Sequence, residues 1–191
     1  MNIANKLTVL RILLAFICIG LIRQFTLPSL YGALAVFSLA AFTDFLDGYF
    51  ARKRNTESDL GRIIDPIADK ILTIGVFLSL VEKGLVNSWL VILIILREFL
   101  ITGLRIFALR QNKVLEAQYF GKHKTVTQIA AIILILTLLI IEKATLGLSG
   151  WAWFKEFRSV TIFVTLAWVA VITVVSGIMY LWKNRKLIKS L

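Results

Sequence analysis

The sequence predicts an all-α membrane protein, a bundle of six transmembrane helices, and three observations lead there. Of its 191 residues 59% are hydrophobic and only 17% charged. A soluble domain of this size cannot hide so much apolar surface, because small domains bury roughly two-thirds of the area their chains expose. Six apolar runs, roughly 5–24, 29–51, 64–81, 86–109, 125–142 and 160–182, approach or exceed the length of helix, about 20 residues, that crosses hydrocarbon. The segments between the runs alternate in charge. The same composition excludes disorder, and one domain spanning residues 1–191 is expected at this length.

The chain opens, Met1 to Arg11, without a strongly basic start or a small-residue cleavage site, so the first run reads as a retained helix. Its Cys18 is the single cysteine, which leaves no intramolecular disulfide and suggests a small buried hydrophobe. The second run carries no charge between Arg23 and Asp44. The third opens on acidic residues, and the fourth contains Arg97, Glu98 and Arg105. The fifth is uncharged from Thr125 to Ile141, and the sixth from Arg158 to Lys183. Trp151, Trp153 and Phe154 ahead of the last run resemble an interfacial anchor.

The net charge of +11 comes from 22 Lys+Arg against 11 Asp+Glu. Fifteen of the basic residues lie at the start of the chain (Lys6 and Arg11), in 52–62, in 105–124 and in the tail, whereas the opposite set (Arg23, Lys83, Lys143, Lys155, Arg158) holds five. The positive-inside rule then places both termini and the 52–62 and 105–124 segments in the cytoplasm, in an integral cytoplasmic (plasma) membrane protein. Basic residues in the tail, Lys183, Arg185, Lys186 and Lys189, suit anionic membrane lipids and not nucleic acid.

Every aspartate lies between Asp44 and Asp69. An ionised carboxylate in or near hydrocarbon costs several kcal/mol unless paired or metal-bound, and acids in membrane helices are functional by default. Asp44 and Asp47 are three apart, so they share a helix face; Gly61, Asp65 and Asp69 are spaced four and four. The short 52–62 connection makes the two helices antiparallel neighbours whose carboxylates converge. Four such oxygen donors suit hard divalent cations, Mg²⁺ or Mn²⁺. Mid-loop Glu57 and Asp59 read as solvated acids, and Asp65 before Pro66 also fits a helix cap. Gly48 and Ala51 either admit a ligand to the backbone or permit close helix packing, and Arg52 suits a bidentate grip on phosphate.

Taken together, Asp44-x-x-Asp47-Gly48-x-x-Ala51-Arg52, eight residues, then Gly61-x-x-x-Asp65-x-x-x-Asp69 resembles the signature of the CDP-alcohol phosphotransferases, with no motif position departing from the pattern. The resemblance implies six transmembrane helices with a cytoplasmic-side active-site cavity, a homodimer, and transfer of a phosphoalcohol group from a CDP-alcohol to a hydroxyl with release of CMP. By that likeness Asp44, Asp47, Asp65 and Asp69 hold two divalent metals per active site, with Asp69 also the general base. Gly48, Ala51, Arg52 and Gly61 contact the CDP moiety.

Further stretches resemble the bacterial members that make phosphatidylglycerophosphate: Asn5-Lys6-Leu7-Thr8-x-x-Arg11, Asp65 to Lys70, Arg97-Glu98 with Thr102 and Arg105, and Gly121-Lys122-His123-Lys124-Thr125-x-x-Gln128. They imply CDP-diacylglycerol as donor and sn-glycerol 3-phosphate as acceptor. Asn5 and Thr8 either hydrogen-bond the nucleotide or cap the first helix. Arg105, Arg110, Lys122, Lys124 and Thr125 form a rim suited to a dianionic acceptor; positive-inside topology and anionic lipid account for about half of its basic residues equally well. Arg97 is expected to pair with a site carboxylate and Glu98 with a basic partner. His123 reads as a surface residue, and the sixth helix is expected to add little beyond hydrophobicity. Rival readings are the same chemistry on inositol phosphate, serine or phosphatidylglycerol, and a cation transporter. The scarcity of charge away from the cytoplasmic face counts against transport.

Overall fold

A computed structural model describes residues 3–54, 59–111, 120–145, 151–185 and 188. Within these, side chains are described for 9–43, 70–108, 111, 124–145, 153–185 and 188. Among the described residues six helices follow one another: α1 (Ile3–Gln24), α2 (Leu27–Arg54), α3 (Asp59–Glu82), α4 (Ser88–Arg110), α5 (Phe120–Ala144) and α6 (Trp151–Lys183).

Local chemistry sets the boundaries. α1 stops where Phe25 turns to φ 51°, a left-handed conformation that only the end of a helix tolerates in such a residue. One residue on, Thr26 and Ser29 cap α2 reciprocally: the Ser29 hydroxyl accepts from the Thr26 amide at 2.9 Å, and the Thr26 hydroxyl from the Ser29 amide at 3.3 Å. α2 therefore starts two residues before the apolar run suggests. The end of α3 is a Schellman turn. Gly84 takes φ +66°, its amide donates to the Val81 carbonyl at 2.8 Å, and the Leu85 amide donates to Leu80 at 3.0 Å. Asn87 then caps α4, its side-chain oxygen accepting from the Trp89 and Leu90 amides at 3.0 and 3.3 Å.

α1 packs most extensively on α2 and α3; α5 lies against α2 and α6, and α4 against α6. Small residues allow the close approaches, as Gly32 meets Leu21 and Gly75 meets Ile19. The common core is made of Phe37, Phe77, Leu80, Ile94, Leu136 and Leu166, all fully buried. As expected, Cys18 is buried, its thiol against the Ala33 carbonyl. Large apolar side chains also cover the outside, with Phe16, Phe99, Phe163 and Trp168 all more than half exposed. That surface is made for an apolar solvent.

Among the described residues two stretches, Lys124–Ala144 and Trp153–Lys183, are by length and composition long and apolar enough to cross a bilayer, and Leu27–Thr43 is a shorter apolar stretch. α4 is as long, but Arg97, Glu98 and Arg105 interrupt it.

One end of the bundle is held by charge. Arg158 of α6 meets Glu142 of α5 at 2.7 Å with both side chains nearly buried. Arg23 of α1 meets Glu82 of α3 at 3.0 Å in the open. Lys143 sits over the Phe25 ring at 4.5 Å. Arg158→Ala leaves Glu142 without this partner inside the bundle, so it is expected to destabilise by about 3 kcal/mol, read as an earlier thermal transition in detergent. Arg23→Ala, at an exposed pair, is expected to cost less than about 1 kcal/mol.

Candidate active site

At the other end the helices bring together the charges that the fourth apolar run carries in sequence. Glu98 is buried and is the common partner of three cations from three helices. Lys124 of α5 is ion-paired with its Oε1. The Arg97 guanidinium reaches the same oxygen at 3.4 Å. Lys70 of α3 lies 3.9 Å from Oε2 and donates to the Glu98 backbone carbonyl at 3.2 Å. The Gln128 amide donates to Oε1 at 3.5 Å from one turn along α5. One carboxylate against three cations leaves this cluster, counted over those four groups, with a surplus of positive charge.

Arg97 then ties α4 to α6. Its Nη2 donates to the Ser176 hydroxyl at 3.1 Å, and that hydroxyl donates to the Thr173 carbonyl at 2.9 Å. The side chain also lies on Gly177, where an added methyl would stand 3.0 Å from Arg97 Cγ. Two turns along α4, the Arg105 guanidinium is 5.9 Å from the centre of the Tyr180 ring. Ile101, Ala108 and Tyr180 pack there as a small second apolar cluster. Buried atoms along this seam, Arg97 Nε, Thr173 Oγ1 and Tyr180 Oη, have no hydrogen-bond partner among the described residues.

Glu98 thus has the basic partners expected of it. Among the described residues, Arg97 pairs with the carboxylate of its own neighbour, Glu98, and with a hydroxyl; the aspartates expected to supply a site carboxylate lie outside the described side chains. α6 likewise contributes more than hydrophobicity, since Thr173, Ser176, Gly177 and Tyr180 line the face that meets Arg97 and Arg105. The signal was present as polar and small residues at helical spacing in an otherwise apolar run.

Of the rim residues, Lys124 is buried on Glu98, Thr125 is half-buried and Arg105 is exposed. The remaining candidates lie on helices, but their side chains fall outside the described residues: Asn5 and Thr8 on α1, Asp44, Asp47, Gly48, Ala51 and Arg52 on α2, Gly61, Asp65 and Asp69 on α3, Arg110 on α4, Lys122 and His123 on α5. Among the described residues there is no cluster of three metal-ligating side chains. Arg54 and Asp59 close α2 and open α3 five residues apart, so the chain holds those two helix ends within about 18 Å of each other.

The model of the CDP-alcohol phosphatidyltransferase family matches residues 1–176. The chain belongs to this family. It is 36% identical over 203 aligned positions to a CDP-diacylglycerol–glycerol-3-phosphate 3-phosphatidyltransferase of Bacillus subtilis, spanning 99% of this chain and 98% of that protein. A relative of the same name from Cereibacter sphaeroides is 36% identical, over 84% of this chain and 75% of its own length. Another from Mycoplasma genitalium is 35% identical, over 69% of this chain and 63% of its own. The family match runs from α1 to Ser176, so both Glu98 and the hydroxyl that receives Arg97 fall within it.

Ser176→Ala removes the acceptor of a charged donor inside the bundle. It is expected to lower stability by about 2 kcal/mol, whereas Ser159→Ala, at an exposed position, is expected to leave the melting temperature in detergent unchanged.

Proposed function

We propose that this protein transfers the phosphatidyl group of CDP-diacylglycerol to sn-glycerol 3-phosphate, giving phosphatidylglycerophosphate and CMP. The observation that carries the reading is the likeness, over 99% of the chain, to the Bacillus subtilis enzyme of that name, joined to the eight-position aspartate signature on α2 and α3.

The donor set fits divalent metal: Asp44, Asp47, Asp65 and Asp69 supply hard carboxylate oxygens at the linked ends of two helices. Mg²⁺ or Mn²⁺, two per site, would neutralise the pyrophosphate and the charge growing on departing CMP. The acceptor hydroxyl attacks the phosphorus that bears the diacylglycerol. A bond forms from that oxygen to phosphorus, the phosphorus–oxygen bond to CMP breaks, and Asp69 takes the hydroxyl proton. Arg52, Gly48, Ala51 and Gly61 hold the CDP moiety, with Asn5 and Thr8 beside it. Arg105, Arg110, Lys122 and Thr125 receive the acceptor phosphate. Lys124 acts there through its field, because its ammonium is already on Glu98.

The reading carries a topology of six spans with both termini and the site on the cytoplasmic side. Trp153 and Trp182, each about 70% exposed, stand 29 residues apart on α6, about 43 Å along a helix. That matches a bilayer with its interfaces, about 40–45 Å, and tryptophans prefer those interfaces. Arg185 lies 5.0 Å from the Trp182 ring, a basic and aromatic pair suited to anionic head groups. A homodimer in the membrane completes the proposal.

Purified protein with CDP-diacylglycerol and Mg²⁺ is expected to release CMP when sn-glycerol 3-phosphate is added. Release with inositol phosphate, serine or phosphatidylglycerol instead would overturn the acceptor assignment. No release with any acceptor, accompanied by metal-dependent ion flux in vesicles, would overturn the enzyme reading. Asp69→Asn is expected to abolish turnover while CDP-diacylglycerol binding, followed by equilibrium dialysis, stays within about threefold of wild type. Lost binding would make Asp69 chiefly a ligand and not the base.

A further inference from the structure

We infer that Glu98 is a positioning residue for the reaction: through Lys70 it fixes the rotation of α3 and so the placing of the aspartate stripe on that helix. The inference rests on the proposed metal site.

Packing sets this rotation on the α1 side, where α3 makes its most extensive contact, and leaves it loose on the α4 side. α3 packs mainly on α1 and only slightly on α4. Between α3 and α4 lies an apolar cleft of about 320 Å³, lined by Ile71, Ile74, Phe99, Gly103 and Ile106, with Lys70 also among its walls. A cleft of that size leaves the facing side chains without close neighbours to resist a turn of the helix. What crosses from α3 to α4 at this level is Lys70, held by the Glu98 carbonyl at 3.2 Å and facing its carboxylate at 3.9 Å.

Lys70 directly follows Asp69. A rotation of about 10° moves a group at the side-chain radius of a helix, about 5–6 Å, by about 1 Å. A misplacement of that size costs on the order of a hundredfold in rate. Glu98 is itself well fixed, since Lys124 and Gln128 of α5 hold its carboxylate and Arg97 is anchored on Ser176 of α6. A carboxylate braced from two other helices is a fixed reference for α3. Without its negative charge, Lys70, Arg97 and Lys124 repel one another and the reference is lost.

The test is Mn²⁺ binding to the full chain in detergent, followed by electron paramagnetic resonance, for wild type, Glu98→Gln, Lys70→Met and the double variant. Each single variant is expected to weaken Mn²⁺ binding by about tenfold, as loss of an outer-sphere partner does. The double variant is expected to be no weaker than the worse single one, because both remove the same link. The KM for glycerol 3-phosphate is expected to stay within about twofold while kcat, counted per folded molecule, falls; counting folded molecules removes the loss that general destabilisation would give. Wild-type affinity in both single variants, or losses that multiply in the double one, would overturn the inference and leave the metal site standing. Wild type that binds no Mn²⁺ would overturn both. Should Glu98→Gln fail to fold, Lys70→Met decides by the same criterion.

Discussion

An apolar bundle tolerates an ionised side chain only when an opposite charge and hydrogen bonds replace the water it gave up, and this requirement governs how α3, α4, α5 and α6 come together. Glu98 cannot sit where it does without cations around it, and Lys70, Arg97 and Lys124 cannot approach so closely without Glu98. Each partner comes with its own helix. Satisfying one carboxylate therefore sets the mutual height of three helices, and Ser176 extends the constraint to a fourth through Arg97. Apolar packing supplies adhesion and shape complementarity, and the charge cluster adds directional pairs to it. A charge cluster admits one register.

The helices were legible in the sequence because each is an apolar run bounded by charge or by turn residues. The largest departure is α6, expected over 160–182 and found over Trp151–Lys183. Trp153, Phe154 and Phe157 are spaced as neighbours on one helix face; Trp153 and Phe157 stack at 5.6 Å, and Phe154 meets Phe157 at 6.3 Å. Arg158, one residue later, closes on Glu142. An anchor read only as interfacial is thus the first turns of the helix. The start of α2 moved for the reason given by its Thr26–Ser29 cap, which hydrophobicity does not register.

Pairing was less legible than helicity. A cation and an acid adjacent in sequence, Arg97 and Glu98, point about 100° apart on a helix, so nothing local says they share partners. Which hydroxyl or ammonium completes them depends on which helices are neighbours. That information lies in the bundle and not in any one run, and it explains why Ser176 and Tyr180 escaped notice. The aspartate signature is the opposite case. Its spacing is local, within two helices and a short link, so the sequence alone carries the pattern.

The two ends of the bundle treat charge differently, and the difference bears on function. At the end holding Glu142 and Arg158, that pair and Arg23–Glu82 set opposite charges against each other, and Lys83 and Lys143 lie over the Phe25 ring. Around Glu98 three cations share one carboxylate, and Arg105 lies exposed a short way along the same helix. Repulsion among those cations raises the free energy of the cluster, and an approaching anion lowers it. Holding such a cluster costs desolvation and repulsion among its cations. Keeping it makes sense where the balancing negative charge arrives with carboxylates on α2 and α3 and with a phosphorylated substrate. On that reading the net charge of +11 is less a property of the surface than the unbalanced half of a site whose other half is its ligand.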